Sequence, residues 1–219
     1  MTTKEAPKRG RPKKSDSDVQ SARNKILTAT RTVFGRYGSK GLTVERIIQA
    51  AGVSRPTFYK YFDKAEAPLD IIVERTNDSL VRKVLEATVH EKQSIPRMQI
   101  AIDTYLAWGK EELEILGAIQ QELLTAESVV AKHRFNTLNK LYELLKSTLE
   151  QEGRPAPDRI VFDSMLIAAE NLGYHLLLNT DSPSAKPYRL QMLKLGIALF
   201  GNKEDWQVAT RNNALFEDF

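Results

Sequence analysis

Apolar positions along the chain recur almost everywhere at three- and four-residue spacing, the period of one buried helical face. From Val19 to Tyr37 the inward set is Ile26, Ala29, Thr30, Val33, Phe34 and Tyr37, and Gly38 and Gly41 bracket a polar turn after it. Val44, Ile47, Ile48 and Ala51 repeat the spacing over barely two turns. Thr43 stands before them as an N-cap, and Gly52 follows at the left-handed position that ends such a helix. Val53 is an apolar hinge, and Ser54 caps a second short helix expected from Arg55 to Phe62. Phe58 and Phe62 lie four apart on its inner side, leaving Arg55, Thr57, Tyr59 and Lys60 outside. Two short helices joined by a tight Gly-containing turn, the second with a basic, aromatic and hydroxyl face, predict a helix-turn-helix backed by the first helix.

The remainder also predicts helices and no strand. Leu69 to about His90 carries Ile72, Leu80, Val84 and Leu85 inward, and Gln93-Ser94-Ile95-Pro96 breaks the pattern. Pro96 to Lys110, Leu113 to Leu124 and Glu127 to Glu152 follow, and Gly153-Arg154-Pro155-Ala156-Pro157 is a loop. Asp63 and Glu66 fit a capping box, yet Pro68 then falls in the first turns of the fourth helix, predicting a start nearer Pro68 or a distorted one. From Asp158 to Asn179 and from Pro187 to Phe200, apolar residues occur on almost every side, which requires cover on two faces. Small residues at Ala168, Ala169, Gly173 and Gly196 admit a close neighbour. The pair is therefore expected to form a four-helix bundle with a second copy, the alternative being internal helices of one large core. Trp206, Leu215, Phe216 and Phe219 suggest one more short helix in the tail. The predicted fold is all-α with about nine helices. It comprises a flexible basic arm (1–18), a helix-turn-helix DNA-binding domain (19–65) and a larger helical body (66–219) that carries the dimerisation helices.

Charge sharpens this division. Residues 1–64 hold 15 Lys/Arg against 5 Asp/Glu, and residues 65–219 hold 17 against 23, within a chain of net charge +4. A basic N-terminal third on an acidic body predicts a polyanion partner at one end, here double-stranded DNA. The chain lacks cysteine, which removes disulfides and thiolate metal sites. No apolar run reaches about 18 residues and the N-terminus has no apolar segment, so a cytoplasmic protein without a membrane partner is expected.

Individual roles follow from chemistry. Arg9-Gly10-Arg11-Pro12 resembles an AT-hook, which lays two arginines along a narrow A·T-rich minor groove. Ser54 and Thr57 are short hydroxyls at a helix N-terminus and suit phosphate. Arg55 has the bidentate reach for guanine, and Pro56 offers a flat apolar surface to a thymine methyl. Tyr59 and Lys60 suit phosphates, while Tyr61 either joins them or packs beside Phe62.

Thr43-Val44, Ala50-Ala51-Gly52-Val53-Ser54 and Thr57-Phe58-Tyr59-Lys60-Tyr61-Phe62 together resemble the DNA-binding signature of the TetR-type bacterial repressors, over roughly residues 20 to 75. The resemblance supports Tyr59 as a DNA contact and implies the same for Thr43. This sequence departs from the pattern at Glu45, where many relatives are basic and Arg46 follows instead. It departs again at Ala65, where relatives place a phosphate-gripping lysine; Lys64, one position earlier, either replaces it or leaves that contact unmade.

The resemblance also implies a small effector in the body. Residues suited to line its cavity are Tyr105, Trp108, Gln121, Phe135, Asn139, Tyr142, Met165, Asn171, Tyr174 and His175, and their mostly apolar surroundings favour a hydrophobic, weakly polar ligand. His90, His133 and His175 are scattered, and no H-E-x-x-H, P-loop, G-x-S-x-G or G-x-G-x-x-G pattern occurs, so no catalytic residue, metal or cofactor is expected. The expected function is a homodimeric transcriptional repressor on a palindromic operator, modulated by a small effector. The competing expectations are an architectural A·T-preferring DNA-binding protein without effector and a regulator controlled by a protein partner.

Overall fold

The computed structural model describes residues 16–125, 127–179 and 184–211, with side chains from Ser21 onward. The arm with Arg9 and Arg11, like Leu215, Phe216 and Phe219, lies outside these residues. Among the described residues there are ten helices and no strand: α1 Asp16–Gly41, α2 Val44–Ala51, α3 Arg55–Tyr59, α4 Glu66–Thr88, α5 Ser94–Glu111, α6 Leu113–Glu122, α7 Val129–Gln151, α8 Arg159–Leu178, α9 Ala185–Phe200 and α10 Lys203–Arg211.

The local signals explain most boundaries. The winding of α1 is interrupted at Gly38, whose φ of 62° is open to glycine at no steric cost. The Thr43 hydroxyl accepts from the Arg46 amide at 3.3 Å, and Gly52 ends α2 in the left-handed conformation. Ser54, Ser128 and Asp158 cap α3, α7 and α8 in the same manner. In the tail, Asn202 and Asp205 each accept from the other's backbone amide, at 2.8 and 2.9 Å, and so begin α10.

Four expectations need correction. α3 ends at Tyr59 instead of Phe62, although the Phe62 amide still donates to the Phe58 carbonyl at 3.0 Å and carries that ring into the core. No Asp63–Glu66 capping box starts α4: its N-cap is Ala65, without a side-chain cap, so Pro68 occupies the third helical position. There a backbone N–H has no partner within the helix, so a proline costs little and the helix needs no distortion. Leu85 and Tyr37 are both 44% exposed instead of inward; the Tyr37 ring is covered from outside by the Arg46 guanidinium, 4.5 Å from its centroid.

The fourth correction concerns the glycines of α8 and α9. A Cβ on Gly173 would stand 2.4 Å from the Tyr105 hydroxyl, and one on Gly196 would stand 2.1 Å from Met98 Sδ. Both glycines are buried and admit α5 of the same chain, not a second copy. What α8 leaves outside is a stripe of Ile160, Ser164, Ile167, Asn171 and His175, with Ile160 76% exposed and Ile167 50% exposed.

Ile26, Phe34, Ile47 and Phe58 are fully buried in one core, which continues through Leu69 and Val73 of α4 into Ile115, Ala118 and Ile119 of α6 and Val130 of α7. The helix-turn-helix is thus seated directly on the body. At the closest point a Cβ on Gly35 would meet the Glu114 carbonyl oxygen at 2.1 Å. Arg31 bridges Glu112 at 2.6 Å and Glu114 at 3.0 Å beside it, and Thr32 donates to Glu114 at 2.7 Å.

Candidate nucleic-acid interface and ligand cavity

The face carried by α2 and α3 is mostly polar outside because its largest aliphatic and aromatic anchors are used inside. Ile47 and Phe58 are completely buried, and Phe58 packs on Phe62 at 5.8 Å between ring centroids and edge-on to Tyr59 at 5.5 Å. Behind that anchor, Thr43, Ser54, Arg55, Pro56, Tyr59, Lys60 and Lys64 are exposed, with Thr57 half-buried. Tyr61 is half-buried against the core, with Lys60 Nζ 5.6 Å from its ring centroid. Ala65 is buried at the start of α4, and Lys64 beside it faces solvent.

Several of these groups hold one another. Ser54 Oγ accepts from the Thr57 amide at 3.3 Å and lies 2.8 Å from Thr57 Oγ1. Arg55 Nη2 donates to Glu45 Oε2 at 2.6 Å across the helix-turn-helix. The hydrogen bond and charge of Glu45 raise the Arg55 pKa above its ordinary value, so the guanidinium stays charged. The partner of Arg55 was not evident from sequence, where Glu45 reads only as an acidic departure. Arg46 is held away at the end of α1, where it donates to the Gly41 carbonyl at 2.7 Å.

In the body, α4, α5, α6, α7 and α8, closed by Met192 of α9, surround a cavity of about 200 Å³. Tyr105, Trp108, Met165 and Tyr174 line it, and Trp108 is locked in place by an indole N–H bond to the Thr76 carbonyl at 3.2 Å. The other six expected residues do not line it, and helix register is the reason. On α7 the lining positions are Val130, Arg134, Thr137, Leu138 and Leu141, which puts Phe135, Asn139 and Tyr142 on the flanks. Phe135 is 62% exposed, and the Tyr142 hydroxyl donates to the Pro157 carbonyl at 3.2 Å. On α8 the lining set is Met165, Leu166, Ala169, Glu170 and Tyr174, so Asn171 and His175 face outward. His175 Nδ1 lies 2.5 Å from the Tyr188 hydroxyl of α9. Gln121 is exposed on the outer side of α6.

The polar part of the wall is an ion pair that sequence reasoning missed. Arg134 of α7 donates to Glu170 of α8, with Nη2 2.6 Å from Oε2. Burial lowers the Arg134 pKa, but the hydrogen bond and charge of Glu170 outweigh it and the net direction is upward. Burial, reinforced by the charges of Tyr174 and Glu170, pushes the Tyr105 hydroxyl well above the usual phenol range. Burial and then Glu170 raise Tyr174, against the opposing charge of Arg134. Both phenols therefore remain neutral donors. The two halves of the ion pair lie 36 residues apart on separate amphipathic helices, so nothing local marks them. Among the described residues no group of three or more His, Asp or Glu is placed to hold a metal ion, and no helix is long and apolar enough to cross a membrane.

Residues 26–67 match the family model described as "Bacterial regulatory proteins, tetR family". Among characterised proteins, the nucleoid occlusion factor SlmA of Cronobacter sakazakii is 22% identical over 138 residues, covering 63% of this chain and 70% of the relative. The Vibrio cholerae SlmA is 22% identical over 160 residues, covering 69% and 78%. In fold, a tetR-family transcriptional regulator from Streptomyces coelicolor superposes with a TM-score of 0.68 at 20% identity, covering 89% of each chain. The regulator FadR of Bacillus subtilis, solved in complex with stearoyl-CoA, gives 0.67 at 16% identity, covering 82% of this chain and 98% of that one.

Proposed function

We propose that this chain, which carries the DNA-binding unit of the tetR family of bacterial regulatory proteins at its N-terminus, is a homodimeric transcriptional repressor whose hold on a palindromic operator is set by an apolar effector in the body. The observation that carries the DNA half is the exposed α2–α3 face, fastened from behind by the fully buried Ile47 and Phe58. In this reading Arg55 reads a guanine edge, Pro56 touches a thymine methyl, and Thr43, Ser54, Thr57, Tyr59, Lys60 and Lys64 position the backbone. Arg9 and Arg11 lie in an adjacent minor groove. Two copies meet through the exposed stripe of Ile160 and Ile167, joined by Leu199 of α9.

The effector half rests on the cavity and on its nearness to the reading head. Ile119 on one side of α6 and Leu123 at its C-terminal end form part of its wall, and the other side of α6 packs on α1 at Gly35 and Arg31. On α7, His133 beside the lining residue Arg134 lies 2.9 Å from Asp70 in the first turns of α4. A ligand that prefers displaced α6 and α7 would reorient α1 and α4 together, and hence the spacing of the two reading heads. Such a ligand shifts the equilibrium only by its difference in affinity for the two arrangements. The stearoyl-CoA bound by B. subtilis FadR supports an apolar effector.

A second reading, chromosome-wide binding without an effector, draws on the similarity to nucleoid occlusion factors. Selection of bound sites from random duplexes decides between them. A two-fold symmetric site released by an apolar compound supports the regulator. Binding that tracks A·T content with a steep salt dependence supports the second reading, and a chain that ignores duplex DNA defeats both.

A further inference from the structure

A second cavity of about 210 Å³ lies against the first, and the two share Val84, Met98, Ala101, Leu141, Met165 and Leu166 as lining residues. Each alone falls short of the roughly 300 Å³ at which small-molecule sites begin, whereas the pair reaches that range. They are stacked end to end between the same helices. On α7 the lining runs from Val130 in the first cavity to Leu149 in the second, about 28 Å along the helix axis. On α5 it runs from Trp108 to Ser94, about 21 Å. The divider is apolar throughout and includes two methionines, whose unbranched side chains repack at low cost.

The two ends differ. At the second cavity's far end, Arg154 donates to the Phe200 carbonyl at 2.5 Å and to Ser94 at 3.0 Å and pairs with Asp205 at 3.6 Å, while Arg97 pairs with Glu152. That end is a stopper of charges matched within the protein. The first cavity instead presents the neutral hydroxyls of Tyr105 and Tyr174 and the amide of Asn77 beside the Arg134–Glu170 pair. A compact ring-shaped ligand would use the first cavity and leave the second empty.

From this arrangement we infer that the two cavities are one channel for a single unbranched aliphatic chain, its oxygen-bearing end at Tyr105 and Tyr174 and its tail passing between Met98 and Met165 into the second chamber. This rests on the reading of the first cavity as the effector site and names the chemical class that it takes.

The test is calorimetric binding of octanoate, laurate and palmitate to the full chain, with methyl palmitate to separate the charge of the head from the length of the tail. Each added methylene that reaches the channel should tighten binding by up to about fourfold. Leu145→Trp, and Thr148→Leu as a milder plug of the same chamber, should weaken palmitate by about tenfold or more while leaving octanoate within about twofold. Unfolding curves confirm that at least one plugged variant is folded. Palmitate binding unchanged in a folded plugged variant, or affinity independent of chain length in the parent, overturns the inference. Binding of 1-anilinonaphthalene without any straight chain overturns it while the effector site stands; binding of neither removes the effector site as well.

Discussion

The reading head and the body solve opposite packing problems. α2 and α3 are eight and five residues long, too short to hold shape alone, and they are fixed by side chains buried to completion, Ile47 and Phe58. The body has helices of up to 23 residues and yet leaves two chambers of about 200 and 210 Å³ unfilled between them. A face that must present donors to DNA at set positions needs a filled core behind it. A region that is to respond to a ligand needs space, and it gives up packing energy to keep it.

That contrast can be broken from the reading head first. Phe58→Ala empties a completely filled site and should cost about 3–5 kcal/mol, measured by chemical denaturation with DNA binding lost in parallel; a cost near zero would mean that the head is not held as described. Gly35→Ala drives a methyl into the Glu114 carbonyl where the two regions meet. It should cost about 1–3 kcal/mol and change the response of DNA affinity to an apolar ligand more than the affinity itself. Arg55→Ala should leave stability unchanged and relax discrimination at one base position by about an order of magnitude in binding constant, and an unaltered site profile would reject its reading role.

In the body the sign reverses. Ala169→Leu adds bulk to the wall of an unfilled chamber, so it should raise stability by about 0.5–2 kcal/mol while abolishing ligand response. A drop in stability would mean that the chamber is smaller in solution. The smallest effect is confined to alkaline pH. Below about pH 10 Tyr105 and Tyr174 are protonated in both the folded and unfolded chain. Above it the unfolded phenols ionise while the buried ones stay protonated, so the unfolded state binds fewer protons and stability falls as pH rises. Tyr174→Phe should flatten part of that decline in a denaturation series.

How much was legible beforehand follows the same boundary. Thr43, Gly52, Ser54 and Phe58 act on neighbours within four residues, so caps, turn and buried anchor could be read directly. Pro68 misled because its cost depends on where the helix begins, and two residues of offset place it among amides that need no partner. Gly173 and Gly196 did mark close approach, but composition cannot say whether the neighbour belongs to the same chain or to another, and here it is α5. Six of the ten residues expected at the cavity lie off its wall because aromatic and amide character does not fix helix rotation.

Local hydrogen bonding and helical periodicity, both properties of short stretches, determined the all-helical architecture and the helix-turn-helix from the amino-acid order alone. Only the tertiary structure decided the pairing of Arg55 with Glu45, the Arg134–Glu170 pair on the cavity wall, the docking of α6 on α1 and the alignment of two chambers. Each of these depends on the relative rotation and approach of separate helices. Packing sets those quantities over the whole molecule, and no window of sequence contains them.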